Sequence, residues 1–297
     1  MAVKSTIAPP ASIAIIGLGN MGIPMANCLI RAGFRVRGFD SSSAARDRLV
    51  AAGGQIAATA AEAVADAEVV ITLLPDGKIA RSVLEPLQGD IRPGAVIMEM
   101  SSSDPVGTQK LGNAFIASGF AFIDAPVSGG VKRAIDGSLA IMVGGEAATI
   151  DRVSEILSAL GRTVFRTGGL GSGHAMKALN NYVSAAGLIA TVEAIQIGEK
   201  FGLDPEMMAD VLNASTGRNN TTDVKLKQFI LSKQFNAGFP LRLMAKDVRT
   251  ADDLGHAMRT PTPLADRCAD IWDAAATSLG DGADHTAIGL HIAKMKI

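Results

Sequence analysis
Apolar and polar positions follow two textures along the chain. From Ser12 to about Thr167, short apolar runs are separated by stretches with helical periodicity. The runs are Ile13–Ile16, Arg35–Phe39, Val69–Leu74, Ala95–Met100, Phe120–Ile123, Leu139–Val143 and Thr163–Arg166. Ala-rich amphipathic stretches such as Ser43–Ala52 and Thr59–Ala65 lie between several of them. Strands that alternate with helices predict an α/β fold: a Rossmann-type, doubly wound, mostly parallel sheet covered on both faces. Beyond Gly173 the strand punctuation stops. His174–Phe201 reads as one long helix despite Gly187 and Gly198. Pro205–Ala214, Asp223–Leu231, Leu241–Leu254, Thr262–Leu279 and Ala283–Lys294 read as further helices. The pattern predicts a sheet domain over residues 12–170 and an all-α C-terminal domain over 171–297. Gly168–Gly173 is the expected hinge, with a cleft at the junction.

The first apolar run stops at Gly17, and Gly19 and Gly22 complete a G-x-G-x-x-G spacing before a helix over Ile23–Arg31 that ends at Gly33. This is the strand, turn and helix of a dinucleotide pyrophosphate site. Gly17 makes the tight turn, Gly19 admits the phosphates and Gly22 lets helix and strand pack closely. The helix start then offers unpaired N–H groups to the anion. Asp40 ends the second run, eighteen residues past Gly22. Its carboxylate suits the adenosine ribose and repels the extra phosphate of NADP, which favours NAD; alternatively it caps the helix near Ser43. Arg46 and Arg48 stand close by and suit a phosphate. Leu74-Pro75 and Ser101–Ser103 each follow a strand, where ligands of doubly wound sheets bind. Each has a purely structural alternative: a strand-ending proline, and a cap for the helix begun at Pro105.

Composition narrows the picture. The chain has 297 residues, 48% of them hydrophobic, and a formal net charge of −1. Nothing in that balance points to nucleic acid or an anionic membrane. Ala178–Val192 is too short to span a bilayer. Met1–Ser12 reads as a frayed lead-in without a targeting core. Two cysteines, Cys28 and Cys268, far apart, fit a reducing compartment, so a cytoplasmic protein is expected. Cys and His show no metal-ligand spacing.

Two stretches carry candidate chemistry. Ser128-Gly129-Gly130, after a rigid Ala-Pro-Val turn, can present successive N–H groups to a carboxylate, or can simply form a tight loop. Lys177 and Asn181 lie four apart on one helix face. A helical lysine is ordinarily solvated surface. Lys177, however, is flanked by Ala175, Met176, Ala178 and Leu179, and an amine in partly apolar surroundings loses charge stabilisation and suits acid/base work.

At these residues the chain resembles the β-hydroxyacid dehydrogenases, the family of 3-hydroxyisobutyrate dehydrogenase and tartronate semialdehyde reductase. Four motifs carry the resemblance, in order: GLGNMGIPMA (17–26), DAPVSGG (124–130), GSGHAMKALNN (171–181) and Lys246-Asp247 within MAKDVRTA. The resemblance implies NAD(P)-dependent interconversion of a small 3-hydroxy acid and its semialdehyde or 3-oxo acid. Lys177 would be the general acid/base, and Asn181 would hold the substrate and orient Lys177. Ser128, Gly129 and Gly130 would bind its acid group, with Phe239 and Asp247 in the pocket. Gly17, Gly19, Asn20, Met21 and Gly22 would line the pyrophosphate, with Leu74, Pro75, Ser102 and Lys246 also at the cofactor. Lys132 and Arg133 stand where relatives often carry small residues; they add charge for a second substrate group or are surface charge. Two other readings are an NADPH-linked reductase of a small semialdehyde and a non-catalytic dinucleotide-binding protein. Val183–Val192 is hard to bury in one small helical domain and resembles the segment through which relatives associate, so a homodimer or homotetramer is expected.

Overall fold
In the computed structural model, which describes residues 5–295, the central strands are the runs with the most continuous apolar sequence. β1 (Ser12–Ile16), β4 (Val69–Thr72) and β5 (Val96–Glu99) are almost wholly buried because helices cover both faces of the sheet. Side chains alternate across it. Ile13 and Ile15 enter one core while Ala14 and Ile16 enter the other. Between them lie α1 (Gly22–Arg31), β2 (Arg35–Phe39), α2 (Ser43–Ala51), β3 (Gln55–Ile56), α3 (Ala60–Val64) and α4 (Gly77–Leu87). α5 (Pro105–Ala117), β6 (Ala121–Asp124), β7 (Val127–Ser128), α6 (Gly130–Asp136), β8 (Leu139–Gly145), α7 (Ala147–Arg152), α8 (Ser154–Leu160) and β9 (Gly161–Gly168) follow.

The strand order is β3-β2-β1-β4-β5-β6-β8-β7, with β9 on β8. The first six strands are parallel neighbours; β8 runs antiparallel to β6 and β7. The order reverses between β1 and β4, so the turns after Ile16 and Thr72 flank the switch point where doubly wound sheets bind ligands. Two expectations change here. The two-residue strands β3 and β7 are too short to show a period. The lead-in is packed from Ile7 onward: Ile7 and Ala11 are buried, and the Ile7 N–H donates to the Arg152 carbonyl at 2.7 Å. Met1–Lys4 lie outside the described residues.

Contacts divide the chain between Lys177 and Ala178, within the continuous helix α9 (Ser172–Phe201). The helical unit adds α10 (Pro205–Ala214), α11 (Asn220–Val224), α12 (Leu241–Ala257), α13 (Pro263–Leu279) and α14 (Ile288–Ile292). Its core gathers Ala185, Leu188, Ile189, Val192, Val248, Ala269 and Trp272. Most of the apolar stripe in Val183–Val192 is therefore buried within its own unit; Val183 is 68% exposed. The single helix expected over Asp223–Leu231 is instead α11, capped by Asn219, a break at Lys225, and a π-helix over Leu226–Leu231. The last expected helix starts with a 3-10 turn at His285–Ala287, capped by Asp284. Among the described residues no helix is long and apolar enough to cross a membrane.

Candidate active site
The glycine turn is shaped partly by the protein and partly by space left beside it. Gly17 has φ +100°, and a Cβ there would meet the Leu73 carbonyl oxygen at 2.3 Å. A Cβ on Gly22 would meet the Gly17 carbonyl oxygen at 2.1 Å. Both glycines thus serve packing. Gly19 differs: among the described residues a Cβ there meets nothing within 4 Å. Its smallness answers to no neighbour among those residues, which leaves the open cradle a pyrophosphate needs. Among the described residues no side chain caps the start of α1, which suits an anion at its N–H groups. These residues fit a dinucleotide.

Asp40 does two things the sequence did not separate. Its Oδ2 accepts the Leu18 N–H at 2.7 Å, tying the glycine turn to the end of β2, and its Oδ1 accepts the Ser42 N–H at 2.8 Å. The cap of α2 is Ser42, not Asp40. Arg46 directs Nη1 to the Asp40 and Ser41 carbonyls at 2.6 and 3.4 Å. At the neighbouring strand ends, the Leu74 N–H donates to the Ser101 hydroxyl at 2.9 Å. The cap of α5 is Asp104, which accepts from Val106 and Gly107; Ser102 is only partly buried, and Pro75 is exposed.

The start of α9 is held by residues that sequence reasoning missed. Asp124, at the end of β6, accepts the Gly171 N–H at 2.7 Å and the His174 N–H at 2.8 Å. A carboxylate from another strand thereby caps the helix that bears Lys177. Gly173 permits this: a Cβ there would lie 2.3 Å from the Met142 carbonyl oxygen and 2.8 Å from Asp124 Oδ2. The stretch expected to be a hinge is therefore firmly bonded at its helix end. His174 is buried with Nδ1 3.0 Å from Thr108 Oγ1, and Nε2 3.0 Å from the Ser101 carbonyl and 3.1 Å from Glu99 Oε2. Both groups near Nε2 are acceptors, which assigns a proton to that nitrogen. Glu99 in turn accepts the Ser101 N–H at 2.9 Å. Burial pushes the Asp124 carboxyl up; the charge of His174 and the two N–H bonds oppose it. The available signal was an acid inside each apolar strand end, VIMEM and FIDAP, where a buried charge demands a partner.

Lys177 follows as the sixth residue of α9 and is partly buried. In the same unit, Ser128 ends β7, paired opposite Ala140, and Gly129 and Gly130 continue with φ +130° and +67°. Among the described residues a Cβ on Gly130 meets nothing within 4 Å, so the turn has open space at that residue. Lys132 and Arg133 are exposed on α6, and the Arg133 stem covers Gly129.

In the helical unit, Asn181 and Asp247 are brought together. The Asn181 amide Nδ2 donates to Asp247 Oδ2 at 2.5 Å, and its Oδ1 accepts from Asn180 Nδ2 at 3.1 Å. Lys246 Nζ lies 3.2 Å from Asp247 Oδ1, offsetting a buried charge. Asp247 therefore orients Asn181. Phe239 sits apart from this chain of bonds, edge-on to His285 with ring centroids 5.8 Å apart. Asp284 fixes its backbone by accepting the Gly238 and Phe239 N–H groups at 2.8 and 3.1 Å. Burial opposes ionisation of Asp284, but hydrogen bonds from His285 and Thr286 outweigh it and hold the carboxyl well below the usual range.

Comparison with known proteins gives a consistent result. The model for the NAD binding domain of 6-phosphogluconate dehydrogenase matches residues 12–169. The model for the NAD-binding of NADP-dependent 3-hydroxyisobutyrate dehydrogenase matches residues 171–291. The 2-(hydroxymethyl)glutarate dehydrogenase of Eubacterium barkeri is 34% identical over 264 residues, covering 88% of each chain. The NAD-dependent L-serine dehydrogenase of Pseudomonas aeruginosa is 36% identical, covering 85% of this chain and 88% of that one. Among solved structures, the 3-hydroxyisobutyrate dehydrogenase of Mycobacterium tuberculosis with L-serine superposes with a TM-score of 0.90 at 34% identity. It covers 96% of this chain and 99% of that one.

Proposed function
The chain belongs to the β-hydroxyacid dehydrogenase family, NAD(P)-dependent oxidoreductases, and we propose that Lys177 is its general acid/base in the interconversion of a small 3-hydroxy acid and its semialdehyde or 3-oxo acid. The observation that carries this reading is the anchored helix start: Asp124 holds Gly171 and His174, six and three residues before Lys177, at 2.7 and 2.8 Å. A positioned amine is what proton transfer in a transition state requires.

The roles divide along the chain. Residues 12–170 bind the dinucleotide and 171–297 supply Asn181, Phe239, Lys246 and Asp247. When bound, the nicotinamide supplies the redox chemistry by accepting a hydride from the alcohol carbon. Lys177 takes the hydroxyl proton as that hydride leaves, so the carbon–oxygen bond becomes a carbonyl, and it returns the proton in reduction. Asn181, oriented by Asp247, donates to the substrate oxygen. The N–H groups of Ser128–Gly130 hold the substrate carboxylate.

NAD is preferred over NADP because Asp40 places a carboxylate at the end of β2, while Arg46 turns toward carbonyls of its own turn. The relatives named above act on serine and on (hydroxymethyl)glutarate, which share a hydroxyl one carbon removed from an acid-bearing carbon. Self-association accords with Val183, Ile197 and Phe201, which are 68%, 70% and 84% exposed on α9. A cytoplasmic site accords with buried, unlinked Cys28 and Cys268.

The test is absorbance of the reduced nicotinamide with a panel of small hydroxy acids, each run with NAD and NADP. Turnover of 3-hydroxy acids with NAD ahead of NADP is the expected result. No reduction with any of them would return the chain to a binding role. The methyl ester of the best acid should lose at least about tenfold in kcat/KM, roughly 1.4 kcal/mol.

A further inference from the structure
Lys225 is a partly buried cation that the reaction as described does not use. It stands at the break between α11 and the π-helix Leu226–Leu231, where the backbone leaves helical geometry. Such insertions recur at functional positions. Its Nζ lies 3.5 Å from the Ser184 hydroxyl, its one contact of that kind among the described residues. Two residues on, exposed Lys227 has two carboxylates, Asp210 at 2.6 Å and Glu206 at 3.2 Å. Lys225 has no carboxylate within 4.0 Å among the described residues. The acid whose field reaches it is Asp284, whose oxygens already accept from Gly238, Phe239 and Thr286. The better-buried lysine is thus the one without a counter-ion, the reverse of what folding energetics favours.

Its position gives this a meaning. Lys177, Asn181 and Ser184 fall at i, i+4 and i+7 of α9 and share one face of the helix. Ser184 marks that face one turn past Asn181, and Lys225 reaches it there. Asp284, whose charge reaches Lys225, also accepts from the loop that carries Phe239. We propose that Lys225 forms an anionic subsite for a second acidic group on the substrate, so that the preferred 3-hydroxy acid is a dianion. This rests on the acid/base reading of Lys177. Burial pulls the Lys225 amine below its ordinary range, with Asp284 opposing, and a bound anion would relieve that penalty.

Two probes share one reacting centre. 2-(Hydroxymethyl)glutarate is 3-hydroxyisobutyrate with its methyl extended to a second carboxylate. The ratio of kcat/KM for the first over the second should exceed one in the wild type. It should fall at least tenfold in Lys225→Met and stay within threefold in Lys225→Arg, which keeps the charge. A ratio below one in the wild type, or unmoved by Lys225→Met in a variant that melts as the wild type does, overturns the subsite while the dehydrogenase reading stands. Calorimetry separates the two claims without turnover. With enzyme saturated by NADH, 2-methylglutarate should bind at least tenfold tighter than isobutyrate, and Lys225→Met should erase the difference. If that selectivity is present and no hydroxy acid is oxidised, the reading of the reaction fails and the subsite stands. Equal binding of the two acids overturns the subsite.

Discussion

Asp124 is bonded to the backbone of His174 and lies beside its ring: the His174 main-chain N–H donates to Asp124 Oδ2 at 2.8 Å, and the ring Nδ1, paired with Thr108 Oγ1 at 3.0 Å, lies 3.6 Å from the same oxygen. Neither side chain is exposed, so the pair takes the place of the solvent that would otherwise satisfy the start of α9. Asp124→Ala leaves the buried Gly171 and His174 N–H groups without their acceptor. A loss of about 3–5 kcal/mol in urea unfolding is expected. A loss under 1 kcal/mol would show that water replaces the carboxylate.

The same pair gives a pH signature. Burial raises the Asp124 pKa above its ordinary 3.8. An acid with a raised folded pKa favours the fold while protonated. Its contribution is complete below about 3.8 and is lost as pH rises through the raised value. The wild type should therefore lose stability relative to Asp124→Asn as pH climbs from about 3 toward neutrality. Urea melts of both proteins across that range check it; a difference that grows in favour of the wild type contradicts the sign.

Gly17 and Gly19 should respond differently to the same added methyl. Gly17→Ala meets the Leu73 carbonyl at 2.3 Å at φ +100°, so it should lower stability by more than about 2 kcal/mol. Gly19→Ala has open space and should stay within roughly 1 kcal/mol of the wild type while losing NADH affinity at least tenfold. Calorimetric titration of the folded Gly19→Ala variant decides whether that space belongs to the cofactor. Unchanged affinity would assign it to something else.

Asp40→Ser should narrow or reverse the preference for NAD. Because Asp40 also accepts the Leu18 N–H, the variant should lose some affinity for both cofactors rather than trade one for the other. Values of kcat/KM with NAD and NADP test this. A wild type that already prefers NADP would remove Asp40 from the argument.

For Lys177, oxidation needs the neutral amine and reduction the charged one. Oxidation should rise with pH until the amine is deprotonated, and reduction should fall over the same range. Lys177→Ala should lose on the order of 10²–10⁴-fold in kcat yet bind NADH. Lys177→Arg should also fail, since a guanidinium keeps its proton. Retention of more than about a tenth of wild-type kcat in either variant would exclude Lys177 as the acid/base.

The strands that position the site were legible because burial on both faces writes itself as apolar runs: β2 has the expected bounds, and β1 differs by one residue. Short pieces were not, since α6, α7 and α8 span too few turns to show a period. That Lys177 and Asn181 lie on one helix could be read from spacing. The bonds that orient them could not, because their partners are distant in sequence: Asn181 with Asp247, His174 with Glu99, Asp124 with Gly171. The break at Lys225 was hidden for another reason. The residues around it keep an unbroken helical pattern, and only the backbone shows where that pattern slips.

The cap on α9 also acts as a ruler of angle. Each helical residue advances about 100° around the axis, so a group's compass bearing depends on how many residues separate it from the fixed end. With Gly171 and His174 locked to Asp124, the bearing of Lys177 is written into the count between them. One residue inserted after His174 would leave every capping bond intact and swing the amine roughly a quarter turn away. In the motif G-x-G-x-x-x-K the unnamed positions are therefore constrained in number even where they are free in kind.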